Sequence, residues 1–363
     1  MAEPSAAVFE ESPEPRRSGD TLLRLENLSK QFPGTLALDR VNFEVNAGEI
    51  FALLGPSGCG KTTTLRLIAG FERVNSGEIR LEGKCIESQS IHAPPESREI
   101  GLVFQNFALF PHLNVLDNVA FGLKRLPPKV RLDRGLEVLE MVGLAEFRDR
   151  RPHDLSGGEQ QRVALARSIA PSPKLILLDE PFSNLDAGLR QSTRKEVREL
   201  LKDAGMTAML VTHDREEALS FADRVAIMEN GGLEQTGAPE AMYNRPKTPF
   251  VAEFLGKTNL ISGDAHGDCA ETRLGRFRLD SHALGKVLLS IRPEHLEMIH
   301  ATAGEKNAKL GKIVEREFKG HDLTYRVQIE GEDYFVQTDY RCPYQIGDWV
   351  QLKAVEPGVV LGG

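Results

Sequence analysis

Residues Gly55-Pro56-Ser57-Gly58-Cys59-Gly60-Lys61-Thr62 set glycines, a lysine and a hydroxyl at the spacing G-x-x-x-x-G-K-[ST]. Glycine lets a chain curl until several backbone N–H groups converge on one point, and a helix opening just beyond adds the positive end of its dipole. That chemistry captures phosphate. Lys61 reaches the β- and γ-phosphates of a nucleoside triphosphate, the Thr62 hydroxyl serves Mg²⁺, Thr63 touches the α-phosphate, and Cys59 reads as a small residue that fits the loop. Asp179 and Glu180 end an apolar run. Neighbouring side chains on a strand point to opposite sides, so Asp179 is expected to hold Mg²⁺ through water and Glu180 to act as general base on an attacking water. Ser156 and Glu159 form an S-x-x-E capping box, but a cap does not require the consecutive Gly157 and Gly158, which leave backbone N–H groups open at a helix start. The loop by itself is shared by kinases, GTPases, helicases and transporters.

These groups need a rigid scaffold. The runs at 51–54 (FALL), 175–178 (LILL) and 208–211 (AMLV) are near-continuously apolar, as strands buried on both faces of a parallel sheet are, and helical patterns fill 61–70, 160–170 and 189–204. The alternation predicts an α/β domain. Gly55, Gln105, Asp179, Glu180 and His213 each follow a predicted strand on its carboxyl side, the edge at which open α/β sheets bind ligands. Residues 94–172 have few strand signals and read as a mainly helical insertion. Beyond about 256, short strands at 287–291, 324–329, 334–338 and 349–352 predict a small β-barrel, with the boundary near 245–258, at Pro246 and Pro249.

The 363 residues suffice for about two domains, at roughly 100–200 residues each. With 40% hydrophobic and 27% charged residues wholesale disorder is excluded, although 1–20, rich in Glu, Pro and Ser, reads as a disordered tail. A net charge of −8 argues against a nucleic-acid partner. Cys59, Cys85, Cys269 and Cys342 are scattered, which fits reduced thiols better than disulfides or zinc. No run approaches the roughly 18 apolar residues of a membrane span.

Residues 155–162 (LSGGEQQR) resemble the signature of ATP-binding-cassette (ABC) ATPases. The resemblance extends along most of the chain and implies an α/β P-loop NTPase fold, with a RecA-like core and a helical subdomain at about 94–172, over residues 21–256. It places Gln105 in the Q-loop, contacting Mg²⁺ and the attacking water. Asp186 falls in the D-loop at a dimer interface, His213 is the switch histidine that reads the γ-phosphate, and Phe32 stacks on adenine. Ser156, Gly157, Gly158 and Glu159 would cover the ATP held by a second cassette, so the implied state is a homodimer or a pair with a similar subunit, with ATP and Mg²⁺ bound.

Residues 257–363, including Ser290-Ile-Arg-Pro-Glu294, resemble the OB-like regulatory barrel called TOBE in bacterial importer ATPases. The implied activity is translocase ATP hydrolysis at the cytoplasmic face of the inner membrane. The implied partners are a polytopic permease, docked on the apolar stretch Phe107, Leu109, Phe110 and Leu113, and indirectly an extracytoplasmic solute-binding protein. Residues 212–218 and 254–260 are most similar to ferric-iron importers, with polyamine, sulfate and sugar importers left open. A soluble ABC ATPase acting on DNA or ribosomes fits less well, because no coiled-coil insertion or second cassette is present.

Overall fold

The computed structural model describes residues 20–300 and 309–362. The tail expected at 1–20 lies, apart from Asp20, outside them. The chain divides into two compact units, 1–233 and 234–363.

In the first unit, β1 (Thr21–Phe32) and β2 (Thr35–Asn46) form a hairpin, and β3 (Ile50–Leu54) leads into α1 (Lys61–Ala69). Strands β4 (Ser76–Leu81) and β5 (Lys84–Glu87) join the hairpin in an antiparallel sheet of order β2-β1-β4-β5. This sheet has one apolar face, in which Leu23, Leu25, Val41, Val45 and Ile79 enter the core.

Strands β6 (Ile100–Val103), β7 (Leu175–Asp179), β8 (Ala208–Thr212) and β9 (Arg224–Glu229) run parallel with β3 in the order β9-β3-β8-β7-β6. Every residue of β3 and β8 is buried, as is required of strands covered on both faces. The connections carry α2 (Val115–Val119), α3 (Pro128–Met141), α4 (Gly157–Ile169), α5 (Ala187–Asp203) and α6 (Arg215–Phe221). The stretch 94–172 is therefore not helical from its start, since it first supplies β6. That strand is short, and its Gly101 is dictated by packing: a Cβ there would lie 2.8 Å from the Ser168 carbonyl oxygen of α4.

The second unit begins within β10 (Gly232–Gly237) and includes α7 (Pro239–Asn244) and α8 (Pro249–Leu255). The break thus precedes the expected 245–258 boundary. Buried Arg292 supplies the physical reason, donating to the carbonyls of Tyr243 (2.9 Å), Ala252 (2.8 Å), Gly256 (3.2 Å) and Lys257 (3.2 Å) and tying both helices to the β structure. The long antiparallel pair β11 (Asn259–Thr272) and β12 (Gly275–Ile291) precedes β13 (Leu296–His300), β14 (Leu310–Phe318), β15 (Asp322–Ile329), β16 (Glu332–Asp339), β17 (Trp349–Ala354) and β18 (Val359–Val360). These form sheets of order β11-β12-β18 and β13-β17-β14-β15-β16 around one core that includes Ile261, Leu289, Tyr325 and Val350.

Candidate functional site

The loop between β3 and α1 shows why its glycines are glycines. Gly60 caps α1 at φ 106°, and a Cβ on it would sit 2.6 Å from the Ala37 carbonyl oxygen. At Gly55, with φ 159°, a Cβ would lie 2.4 Å from the Met228 carbonyl oxygen. The first turn of α1 holds no acidic residue and no side chain caps it, so its N–H groups are left for an anion. Lys61 is buried, and its Nζ donates to the carbonyls of Gly55 (2.7 Å) and Pro56 (2.8 Å), a loop-held position from which phosphate oxygens can compete for it. Thr62 is exposed at the helix start and Thr63 half-buried. Pro56, Ser57 and Gly58 form the exposed crest. Cys59 points inward. Burial pushes its thiol up, against the pull of Lys61, which suits a packing residue.

At the end of β7, burial first and then the neighbouring Glu180 push the Asp179 carboxyl up, while Arg66 and Lys61 draw it down. Glu180 takes a left-handed backbone conformation (φ 44°), a strained choice for a residue with a Cβ, held by Ser183, whose N–H (3.2 Å) and hydroxyl (2.8 Å) both donate to the Glu180 carbonyl. The turn swings the Glu180 side chain between two partners. Gln105 Nε2 donates to Oε2 at 3.2 Å, and His213 Nδ1 donates to Oε1 at 2.9 Å. Three residues drawn from the ends of β6, β7 and β8 thus meet on one carboxylate.

Two supports were not legible in the sequence. Asn184 Nδ2 donates to the Gln105 carbonyl at 2.8 Å, fixing the loop after β6. The Thr212 hydroxyl donates to buried Glu217 and accepts from the Asp214 N–H at 3.0 Å, which shapes the turn bearing His213. Asp186 caps α5, accepting from the Leu189 N–H at 2.9 Å.

The Ser156–Glu159 box forms as expected. Glu159 accepts from the Ser156 N–H and hydroxyl, both at 2.7 Å, and these bonds hold its carboxyl below the usual range. Gly157 and Gly158 prove to have a packing reason as well: a Cβ would lie 3.0 Å from Leu185 Cδ2 at the first and 3.2 Å from Thr193 Oγ1 at the second. The same helix reaches the stretch after Gln105, because Arg167 donates to the carbonyls of Phe107 (2.8 Å) and Ala108 (2.6 Å). Within that stretch Phe107 is buried, while Leu109, Phe110 and Leu113 are half-buried. Phe32 ends β1, half-buried, with the Lys30 ammonium 4.7 Å from its ring centroid.

The chain as a whole has counterparts among known proteins. Profiles of the ABC transporter family and of the TOBE domain match residues 38–183 and 289–361. The spermidine/putrescine import ATP-binding protein PotA of Marinobacter nauticus is 41% identical over 357 residues, covering 93% of this chain and 94% of its own. This chain belongs to the ATP-binding subunits of ABC importers. The Fe(3+) ions import ATP-binding protein FbpC of Mesorhizobium japonicum is 44% identical over 317 residues, 85% of this chain and 87% of its own.

Among solved structures, cbiO1 of Clostridium perfringens, part of the ABC transporter complex cbiONQ, aligns with TM-score 0.57 at 32% identity over 62% of this chain and 91% of its own. The cassette MJ0796, a post-hydrolysis dimer bound to ADP and Pi, aligns at 0.52 and 32% over 60% and 99%. The importer ATPase described here is therefore an ABC cassette followed by a TOBE domain, and subunits of this family work with membrane permease components. No helix among the described residues is long and apolar enough to cross a membrane.

Proposed function

We propose that Glu180 is the general base of ATP hydrolysis, oriented by Gln105 and His213 beside the Lys61 loop. The hydrogen-bonded meeting of these three side chains is the observation that carries this reading. Amides of residues 55–63 and the Lys61 ammonium bind the phosphates, and Phe32 stacks on adenine. The donors Thr62, Asp179 and Gln105 offer only oxygens once the Gln105 amide N–H is committed to Glu180, and that set suits Mg²⁺. The half-buried Asp179 carboxyl, set against Glu180, is a site at which a divalent cation relieves repulsion. When bound, the ion supplies charge neutralisation for the phosphates. His213 keeps Glu180 aimed through Nδ1, leaving Nε2 for the γ-phosphate. Glu180→Gln preserves shape and removes the base, so hydrolysis should slow by about 10²–10⁴-fold with ATP affinity retained. Turnover within threefold of the parent would overturn the assignment.

Two copies are inferred to pair so that Ser156, Gly157, Gly158 and Glu159 of each close over the nucleotide of the other, with Asp186 near the seam. Closure on ATP and opening after hydrolysis drive a permease at the cytoplasmic face of the membrane, which receives solute from an extracytoplasmic binding protein. The helical segment docks the permease, and residues 257–363 regulate the dimer. For the solute, the matches to PotA proteins over 93–94% of this chain support a polyamine. The FbpC match supports ferric iron as the second reading. Deleting the subunit and measuring uptake of labelled putrescine and of ferric iron separates the two.

A further inference from the structure

The second unit holds a cavity of about 470 Å³, within the ~300–1,000 Å³ typical of small-molecule sites, between the start of β12 and the turn that joins β17 to β18. Its walls are pinned. The Val355 N–H donates to the His295 carbonyl at 3.0 Å, and beyond the turn the Gly358 N–H donates to the Arg278 carbonyl at 2.8 Å. Phe277 and Leu352, each 3% exposed, belong to the core, so their neighbours along the two strands face outward. Arg276, Arg278 and Lys353 are such neighbours, all exposed, and all three line the cavity.

Three cations thus meet one lining carboxylate, Glu356, in a chain whose net charge is −8. They are poorly neutralised. Arg276 has only Glu271, 4.0 Å away, while Arg278 and Lys353 make no ion pair or side-chain hydrogen bond among the described residues. Glu297, opposite Lys353 on β13, forms no ion pair with it. The strand edge adds a donor. β18 pairs with β12 only at 289–290 and Gly358 takes the Arg278 carbonyl, so the Arg276 N–H, two residues back on the same edge, has no strand partner among the described residues. Val355, 54% exposed, and half-buried Pro357 supply an apolar side.

We propose that this cavity binds a small organic phosphate monoester, with its head on Arg276, Arg278 and Lys353 and its body against Val355 and Pro357. A carboxylate brings one charge and two oxygens, whereas a phosphate monoester brings about −1.5 to −2 and three acceptor oxygens, the better match to three cations set against one acid. A bare phosphate ion suits the charge but leaves most of the volume to water, at about 30 Å³ each. Polyamines and ferric iron are both cations, which these side chains repel, so the site takes an anionic signal distinct from either solute. It shares no residue with the nucleotide site, every member of which lies in the first unit.

Calorimetric titration of the full chain with phenyl phosphate, benzoate and inorganic phosphate tests this. Phenyl phosphate should bind with a Kd of about 1 mM or tighter. Benzoate keeps the ring on a singly charged head, and inorganic phosphate keeps the head without the ring; each should bind about tenfold more weakly. Arg278→Gln and Lys353→Gln should each weaken phenyl phosphate by about tenfold, the loss of one charge-assisted hydrogen bond. Glu356→Gln removes the opposing charge and should tighten binding by about 2–5-fold, a gain that a misfolded chain cannot produce. Binding at the phosphate loop of the first unit would ignore all three substitutions. Absence of phenyl phosphate binding, equal affinity for benzoate or inorganic phosphate, or an affinity that Arg278→Gln and Glu356→Gln leave unmoved would each overturn the proposal.

Discussion

Gly60→Ala tests whether the phosphate loop is built as described. The residue sits at φ 106°, where a side-chain-bearing residue pays roughly 1–2 kcal/mol. Its new methyl would also start 2.6 Å from the Ala37 carbonyl oxygen, a backbone atom of β2 that cannot rotate away. Overpacking of this kind adds about 1–3 kcal/mol, so the expected destabilisation is about 2–5 kcal/mol. Gly58→Ala is the control, because that residue shares the left-handed conformation at φ 83° but a Cβ there meets nothing within 4 Å, leaving only the ~1–2 kcal/mol backbone cost. Urea unfolding followed by circular dichroism reads both. Tryptophan fluorescence does not, since the one tryptophan, Trp349, lies in the second unit. Gly60→Ala should also weaken nucleotide binding more than Gly58→Ala. Equal losses for the two variants would refute the close-approach argument.

Lys61→Ala should reduce ATP affinity by about 10–100-fold, as expected for the loss of one charge-assisted hydrogen bond at ~1.5–3 kcal/mol, measured by calorimetric titration. Arg98→Met should cost about 3–5 kcal/mol, because Arg98 joins the Leu67 (2.7 Å) and Ile68 (3.0 Å) carbonyls of α1 to fully buried Glu87. Replacing Glu87 by leucine in the same chain should recover part of that loss in a thermal melt. Because Glu217 keeps its proton in the folded state up to about pH 7 but loses it near 4.5 when unfolded, stability should fall as pH rises between those values. The drop is on the order of 3 kcal/mol at 1.36 kcal/mol per unit. Glu217→Gln should flatten that slope in denaturation series at pH 5 and 8.

The parallel core was legible because β3, β7 and β8 are apolar on both faces, so position in the sheet and hydrophobic run coincide. Strand β6 was legible only as the strand that Gln105 follows, since four residues containing a glycine carry too little pattern to bound it, and its place is set by α4 packing on Gly101. The β2-β1-β4-β5 sheet was missed because its one-sided burial is interrupted by register shifts in β1. In the second unit β12 begins at Gly275, well before its apolar end at 287–291, through residues such as Arg276, Ala283 and Gly285 whose order comes from pairing with β11. Loop motifs pointed to the proposed chemistry. The bonds that aim it, such as Asn184 to the Gln105 carbonyl and Thr212 to Glu217, depend on residues brought together only by the fold.

The proposed pairing requires that one chain hold a nucleotide it cannot enclose alone. Light scattering of Glu180→Gln with excess Mg-ATP tests this most directly. Twice the chain mass is expected, reverting to the monomer with ADP and prevented by Ser156→Arg. A monomer that persists at saturating Mg-ATP, both alone and with its permease, would contradict it.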